Sequence, residues 1–187
     1  MSANIAQQSL ALSYDSFTSN ITSKISNTLN DNNTFKLPKV EKVCINIGLA
    51  KEKFDTKQIQ DVENYILKMT NQKPKKTQAK KAIANFKTRT GDVVGIVVTL
   101  RGKKAMEFIL NLVYIALPRS RDFKGVKKSS FSKNFSSYSL GIANANIFPA
   151  VGFDASVNFG IQVNIVFKTP RPENVLLLES LQFPFQK

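Results

Sequence analysis

Lysine and arginine are the residues of this chain whose type and spacing could do chemistry, and that chemistry is the pairing of fixed cations with anions. The 187 residues carry 27 basic and 13 acidic side chains, a formal net charge of +14. The excess is confined. Seventeen of the bases and only three acids (Asp92, Glu107 and Asp122) fall between Lys68 and Lys133, and the rest of the chain is balanced. From Lys68 to Gly91 there is no acid at all. Charge spread for solubility would not collect in one third of a chain, so this concentration points to a polyanionic partner. Within it the segment QKPKKTQAKKAIANFKTRTGD has lysines to meet phosphates and one aromatic, Phe86, to stack on a base. A flexible, merely solvated basic loop is the alternative.

Other chemistries lack their residues. The chain has no histidine, the usual acid–base group at neutral pH. Cys44 is the single cysteine, which excludes an internal disulfide and any CxxC metal site. A nuclease would need clustered carboxylates to hold metal ions, and the 13 acids are scattered. No phosphate-cradling P-loop and no dinucleotide fingerprint occurs. The sequence therefore predicts no catalysis, no metal and no cofactor. It also predicts no membrane partner, since no apolar run reaches the ~18–20 residues of a span. Residues 1–30 are rich in Ser, Asn and Thr, with Lys24 as their one base, and resemble neither a secretory nor an Arg-rich targeting segment.

The elements that must position the basic residues follow from periodicity. Val43, Ile45 and Ile47 alternate against Lys42, Cys44 and Asn46, which predicts a strand over 40–48. Val94, Ile96, Val98 and Leu100 alternate against Val97, Thr99 and Arg101, a second strand over 93–101. A third runs from Ile161 to Phe167, and Tyr138–Phe148 is a further candidate. Helices are predicted from Asp55 to Thr70, over 103–117 with Pro118 as its stop, and from Pro172 to about Leu181. Residues 4–29 have weaker helical spacing, anchored by Ile5, Leu12, Ile21, Ile25 and Leu29. The segment 72–92 and the Ser-rich stretch 118–139 read as basic loops. The fold class is α+β: a mostly antiparallel sheet with helices packed on one face and the other face open for RNA. The division is a helical extension over 1–35 and one RNA-binding domain over 36–187. Lys42, Asn46, Thr99 and Arg101 would share the open face, where donors among positive charges suit phosphate, ribose and base edges; a merely solvated polar face is the equal alternative from this pattern alone.

Several motifs in sequence order carry a resemblance: VEKVCINIG at 40–48, QKPKKTQAKKAIANFKTRTG at 72–91, VTLRG at 98–102, PRSRDFKG at 118–125, YSLGI at 138–142, NIFP at 146–149 and FPFQK at 183–187. From about Lys36 onward the chain resembles bacterial-type ribosomal protein five of the large subunit, the 5S rRNA-binding protein of the central protuberance. The resemblance implies a structural, non-enzymatic role with 5S rRNA and large-subunit rRNA as partners, alongside neighbouring central-protuberance proteins. It implies 5S rRNA contacts at Lys42, Asn46, Gln72, Thr99 and Arg101. It further implies that a basic loop reaches the peptidyl-site tRNA through Lys73, Lys75, Lys76, Lys80, Lys81, Phe86 and Lys87; the mutual repulsion of its lysines, with no acid nearby in the sequence, predicts that this loop is mobile in the free protein. Arg119, Arg121 and Lys124 are expected as other RNA contacts. A third surface would meet a small-subunit head protein and bridge the subunits. Here the chain departs from the family pattern, with SKNFSSYS before YSLGI and ANAN after it, and no bridge residue is assigned. A free RNA-binding regulator is the competing class, although the aromatic signature of RNA-recognition motifs is absent. The compartment expected from 22 Lys against five Arg, with abundant Asn, Ile and Phe, is a mitochondrial ribosome, with a plastid or bacterial one as the alternative.

Overall fold

Alternation of apolar and polar residues fixes the central strands, because a strand turns successive side chains to opposite faces. The computed structural model describes residues 19–29, 33, 35–49, 55–86, 88–120, 123–148 and 159–186. In it β1 is Val40–Gly48, β3 is Val93–Arg101 and β5 is Ile161–Phe167, the bounds predicted from the sequence. Two further strands, β2 (Lys75–Gln78) and β4 (Ser137–Ile142), complete a five-stranded sheet in the order β2-β3-β1-β5-β4. Every pairing within it is antiparallel. The architecture is α+β, as expected.

Helices cover one face of the sheet. They are α1 (whose described part is 19–29), α2 (Thr56–Thr70), α3 (Gly102–Asn111) and α4 (Asn174–Ser180). At the start of α2, Gln58 accepts a hydrogen bond from the Asp55 N–H at 2.9 Å, satisfying a donor the helix itself leaves open. Its far end closes on Asn71, left-handed at φ 50, whose carbonyl takes a 2.8 Å bond from Lys104 Nζ. The core joins Val43, Ile45 and Ile47 of β1 and Ile96, Val98 and Leu100 of β3 to Ile66 of α2 and Ile109 of α3. Ile21 and Ile25 are buried in the same cluster. The Ile5 and Leu12 anchors lie outside the described residues. Tyr65 donates its hydroxyl hydrogen to the Ala145 carbonyl, and the burial that makes this bond dry pushes its pKa up. Tyr138, on β4 with its side chain in the core, is pushed up to about 12 by burial, partly opposed by a hydrogen bond from Ser130.

Three expectations change. The helix predicted over 103–117 is α-helical only to Asn111, then widens into a turn over Leu112–Ala116 in which Leu117 N–H bonds back to Leu112 O. The added residue in that turn keeps Leu112, Val113, Ala116 and Leu117 all buried, whereas Met106 and Leu110 of α3 are only half-buried. The candidate strand over 138–148 ends at Ile142, and Ala145–Ile147 forms a 3₁₀ turn. The third concerns β2, whose sequence KKTQ has no apolar alternation and read as loop. It forms an edge strand through backbone pairing with β3, a position where lysines are favoured because they deter further pairing. Gly95 lets β2 and β1 approach β3 closely: a Cβ there would meet Ile47 O at 2.8 Å and Thr77 Oγ1 at 3.0 Å.

Candidate nucleic-acid interface

The strand registers place the predicted sheet residues directly. Lys42 stands opposite Arg101 and Cys44 opposite Thr99 across β1 and β3. On the other side of β1, Cys44 faces Asn164 and Asn46 faces Gln162. The open face is thus a grid whose rows read Arg101–Lys42–Val166–Ser137, Thr99–Cys44–Asn164–Ser139 and Lys75–Val97–Asn46–Gln162–Gly141. These three rows hold amides, hydroxyls and three cations and no acid. Lys42, Asn46 and Thr99 are half-buried and Arg101 is exposed, so their polar ends are reachable from solvent while the ladder fixes their backbones.

The Lys42–Arg101 pair stands out energetically. Directly opposite residues have Cβ atoms about 5 Å apart, and like charges there oppose folding. Among the described residues neither cation is ion-paired. Two cations side by side on an exposed sheet, with hydroxyl and amide groups in the next row, could together receive an anion.

Gln72 joins this site in a supporting position. Beyond Val97, β3 has no β2 partner, so the Thr99 carbonyl points from an unpaired edge. Gln72 Nε2 donates to that carbonyl at 3.0 Å and replaces the missing ladder bond. It fixes the backbone that carries Thr99.

The described residues of the basic segment 73–92 form a paired arm, so the expectation of a loop is corrected at β2 and that of lysines without charge partners at Lys76. After β2, Ala79 and Asp92 continue the pairing through Ala79 N–H to Asp92 O at 2.9 Å, Ile83 bridges Thr88, and Asp92 Oδ2 accepts the Arg89 N–H at 2.7 Å. Lys76 is ion-paired with Glu63 of α2 at 2.8 Å. The acid-free run was real in sequence, but its partner comes from another element. Neighbouring lysines separate accordingly: Lys75 shares the open-face row of Asn46, and Lys76 turns toward the helices. At the tip Lys80, Lys81, Ile83 and Phe86 are exposed, Phe86 at 69%. Lys73 is exposed just before β2. Lys87 lies outside the described residues.

The remaining predicted contacts do not join the grid. Arg119 and Lys124 line a separate groove beside β4, and Arg121 lies outside the described residues. Asn164, Gln162 and Ser139 are face residues that the sequence reading did not single out. Alternation in 161–167 already put Gln162 and Asn164 on the polar side, but only the β1–β5 register shows that this side continues the Lys42 face.

An open, acid-free sheet face with paired cations, backed by helices and flanked by a basic arm, defines a polyanion-binding protein of the α+β class. Two family descriptions match the chain from residue 33 almost to its end: ribosomal protein L5 over residues 33–89, and the C-terminus of the same ribosomal family over 93–185. The large ribosomal subunit protein uL5 of Pelagibacter ubique is 44% identical over 166 residues, covering 88% of this chain and 90% of that protein. The uL5 of Wigglesworthia glossinidia brevipalpis is 39% identical over 93% of this chain and 98% of its own length. That of Mycoplasma mycoides is 38% identical over 85% and 89%. The chain belongs to the ribosomal protein L5 family: it is a structural, non-enzymatic constituent of the large ribosomal subunit.

Proposed function

We propose that the open sheet face binds 5S rRNA, with Lys42 and Arg101 on phosphate and Asn46 and Thr99 on ribose or base edges. The observation that carries this reading is the placement of Lys42 opposite Arg101, neither ion-paired among the described residues, in sheet rows that hold no acid. In the same reading the exposed tip of the arm, with Lys80, Lys81 and Phe86, reaches the peptidyl-site tRNA. Its distance from the grid along the chain lets one protein touch two RNAs. A contact with a small-subunit head protein comes from the family resemblance alone, and no residue is assigned to it. The compartment reading is a mitochondrial ribosome, supported by the Lys-, Asn- and Phe-rich composition, with a plastid or bacterial ribosome as the alternative that the bacterial relatives support; locating the gene tests it.

The direct test is a titration of 5S rRNA with the purified protein across salt concentrations. Each phosphate neutralised releases condensed counterions, so log affinity should fall linearly with log salt. Replacing Lys42 and Arg101 by Ala should flatten that slope by roughly one to two units. A slope unchanged by the double substitution would remove the sheet face from the proposal.

A further inference from the structure

Phe35 is the most exposed large apolar side chain among the described residues, at 92%, yet its backbone is held in place. Its N–H donates to Asn33 Oδ1 and the Lys36 N–H to Asn33 O, both at 3.0 Å, while Leu37 and Pro38 just after it are buried. Arg171 Nη1 donates to Lys36 O at 3.2 Å and ties the turn to the segment that follows β5. A single exposed apolar side chain is ordinary on a protein surface. What sets this one apart is a ring held by a closed turn and surrounded by cations.

Lys39 Nζ lies 5.9 Å from the centre of the Phe35 ring. Lys168 donates its backbone N–H to Lys39 O at 2.9 Å and so stands beside Lys39 where β1 and β5 meet the turn. Lys39, Lys168 and Arg171 are exposed, and among the described residues none of the three is ion-paired. The acids nearest in the chain turn elsewhere. Glu41 alternates with Lys42 onto the other side of β1, and Glu173 has a carboxylate oxygen buried. Asp31 lies outside the described residues. The cluster sits at the Lys42–Arg101 end of the sheet: Lys39 is within ~10 Å of strand from Lys42, and Lys168 is two residues past Val166, the β5 partner of Lys42.

We propose that Phe35 is a stacking platform for one unpaired RNA base, with Lys39, Lys168 and Arg171 on the phosphates beside that base. The proposal rests on the sheet-face reading and extends it: the end of the 5S rRNA site takes a nucleotide from a loop or bulge. Every base offers a π face, and an open ring among lysines and arginine is what a stacking contact uses. A continuous stem would engage the cations and leave the ring without a role. An acidic protein segment would satisfy the cations too, but it needs a cleft to cover the ring, and a side chain at 92% exposure sits in none. A second copy of the chain would set like charges against each other.

The chain has no tryptophan, so Phe35→Trp in the full chain puts a single emitter at the site. Titration with 5S rRNA should quench that emission saturably. Phe35→Ala and Phe35→Leu should each weaken 5S rRNA binding roughly five- to a hundredfold, with the melting temperature and salt slope of the wild type. Phe35→Leu keeps apolar bulk but has no face to stack on. Lys39→Ala/Lys168→Ala/Arg171→Ala should instead flatten the salt slope. If Lys42→Ala/Arg101→Ala loses 5S rRNA while Phe35→Ala and Phe35→Leu bind as the wild type does, the platform is overturned and the sheet-face reading stands. If the wild type binds no 5S rRNA, that reading falls and the platform is judged on an unstructured octaribonucleotide: saturable quenching supports it, and no quenching overturns it. A nonapeptide of alternating Glu and Val that shifts the emission to the blue at lower concentration than either RNA would overturn it in favour of a protein partner.

Discussion

The sheet face and the basic arm carry the same kind of charge but are held by different physics. On β1 and β3 each cation stands on a strand whose alternate side chains are buried, so its position is enforced by the core beneath it. The arm leaves the sheet after Gln78 and carries its lysines on a hairpin whose tip exposes even Ile83 and Phe86. It is ordered by a few backbone bonds, and near its base by the Glu63–Lys76 ion pair. The contrast teaches that the density of basic residues says where a polyanion binds but not how rigidly. Rigidity comes from what lies behind the charges. A rigid grid suits a partner held permanently, and a projecting arm suits one that comes and goes.

The comparison can be broken first at high pH, where the core under the sheet should fail. Burial raises Tyr65 and Tyr138 above the ordinary tyrosine value of 10.0, Tyr138 to about 12. The folded state then keeps protons that the unfolded chain releases. Their contribution is fully present below pH 10 and is lost as pH rises through the folded values. Cooperative unfolding, followed by circular dichroism, should set in above about pH 10 and move to higher pH in a Tyr138→Phe variant that melts normally at pH 7. No shift would mean that the Tyr138 hydroxyl does not set the alkaline limit of the fold.

Next in size is the charge pair. Lys42→Ala/Arg101→Ala should lower 5S rRNA affinity by about ten- to a hundredfold, the scale of losing two charge-assisted contacts. The same change should leave the melting temperature equal or slightly higher, because a like-charge pair directly across strands costs ~0.2–1 kcal/mol. Affinity and stability moving down together would show that the pair serves the fold.

Lys75 and Lys76 sharpen the boundary between the two regions. Lys75→Ala should cost roughly three- to tenfold in 5S rRNA affinity, because its row includes Asn46. Lys76→Ala should leave that affinity within about twofold and reduce stability by under ~1 kcal/mol, as expected of a partly exposed ion pair. Equal effects on RNA binding would contradict the strand register. Gln72→Ala should then destabilise the protein by about 1 kcal/mol in urea unfolding, the net value of one hydrogen bond. The smallest expected effect is at the tip: Lys80→Ser/Lys81→Ser should change stability by less than ~0.5 kcal/mol and 5S rRNA affinity little, while tRNA occupancy of reconstituted ribosomes falls. A tip variant that lost 5S rRNA affinity as fully as the Lys42/Arg101 variant would erase the distinction between the regions.

Much of the grid was legible in the residues alone. A strand's period of two needs no neighbours, so β1, β3 and β5 and their inner and outer faces follow from Val43–Ile47, Ile96–Leu100 and Ile161–Phe167. The shared face of Lys42, Asn46, Thr99 and Arg101 follows with them, as does the confinement of charge to Lys68–Lys133. What only the tertiary structure decided are relations between distant segments. KKTQ became a strand because β3 offered an edge, not through any pattern of its own. Lys75 and Lys76 were divided by that pairing, one toward the open face and one toward Glu63. Gln72 acquired its role from a carbonyl 27 residues away. The groove at β4 exists because Phe123–Lys127 passes beside a strand that sequence order does not reveal as its neighbour. Local alternation is a property of the chain, whereas a partner, an edge or a groove depends on which segments packing brings together.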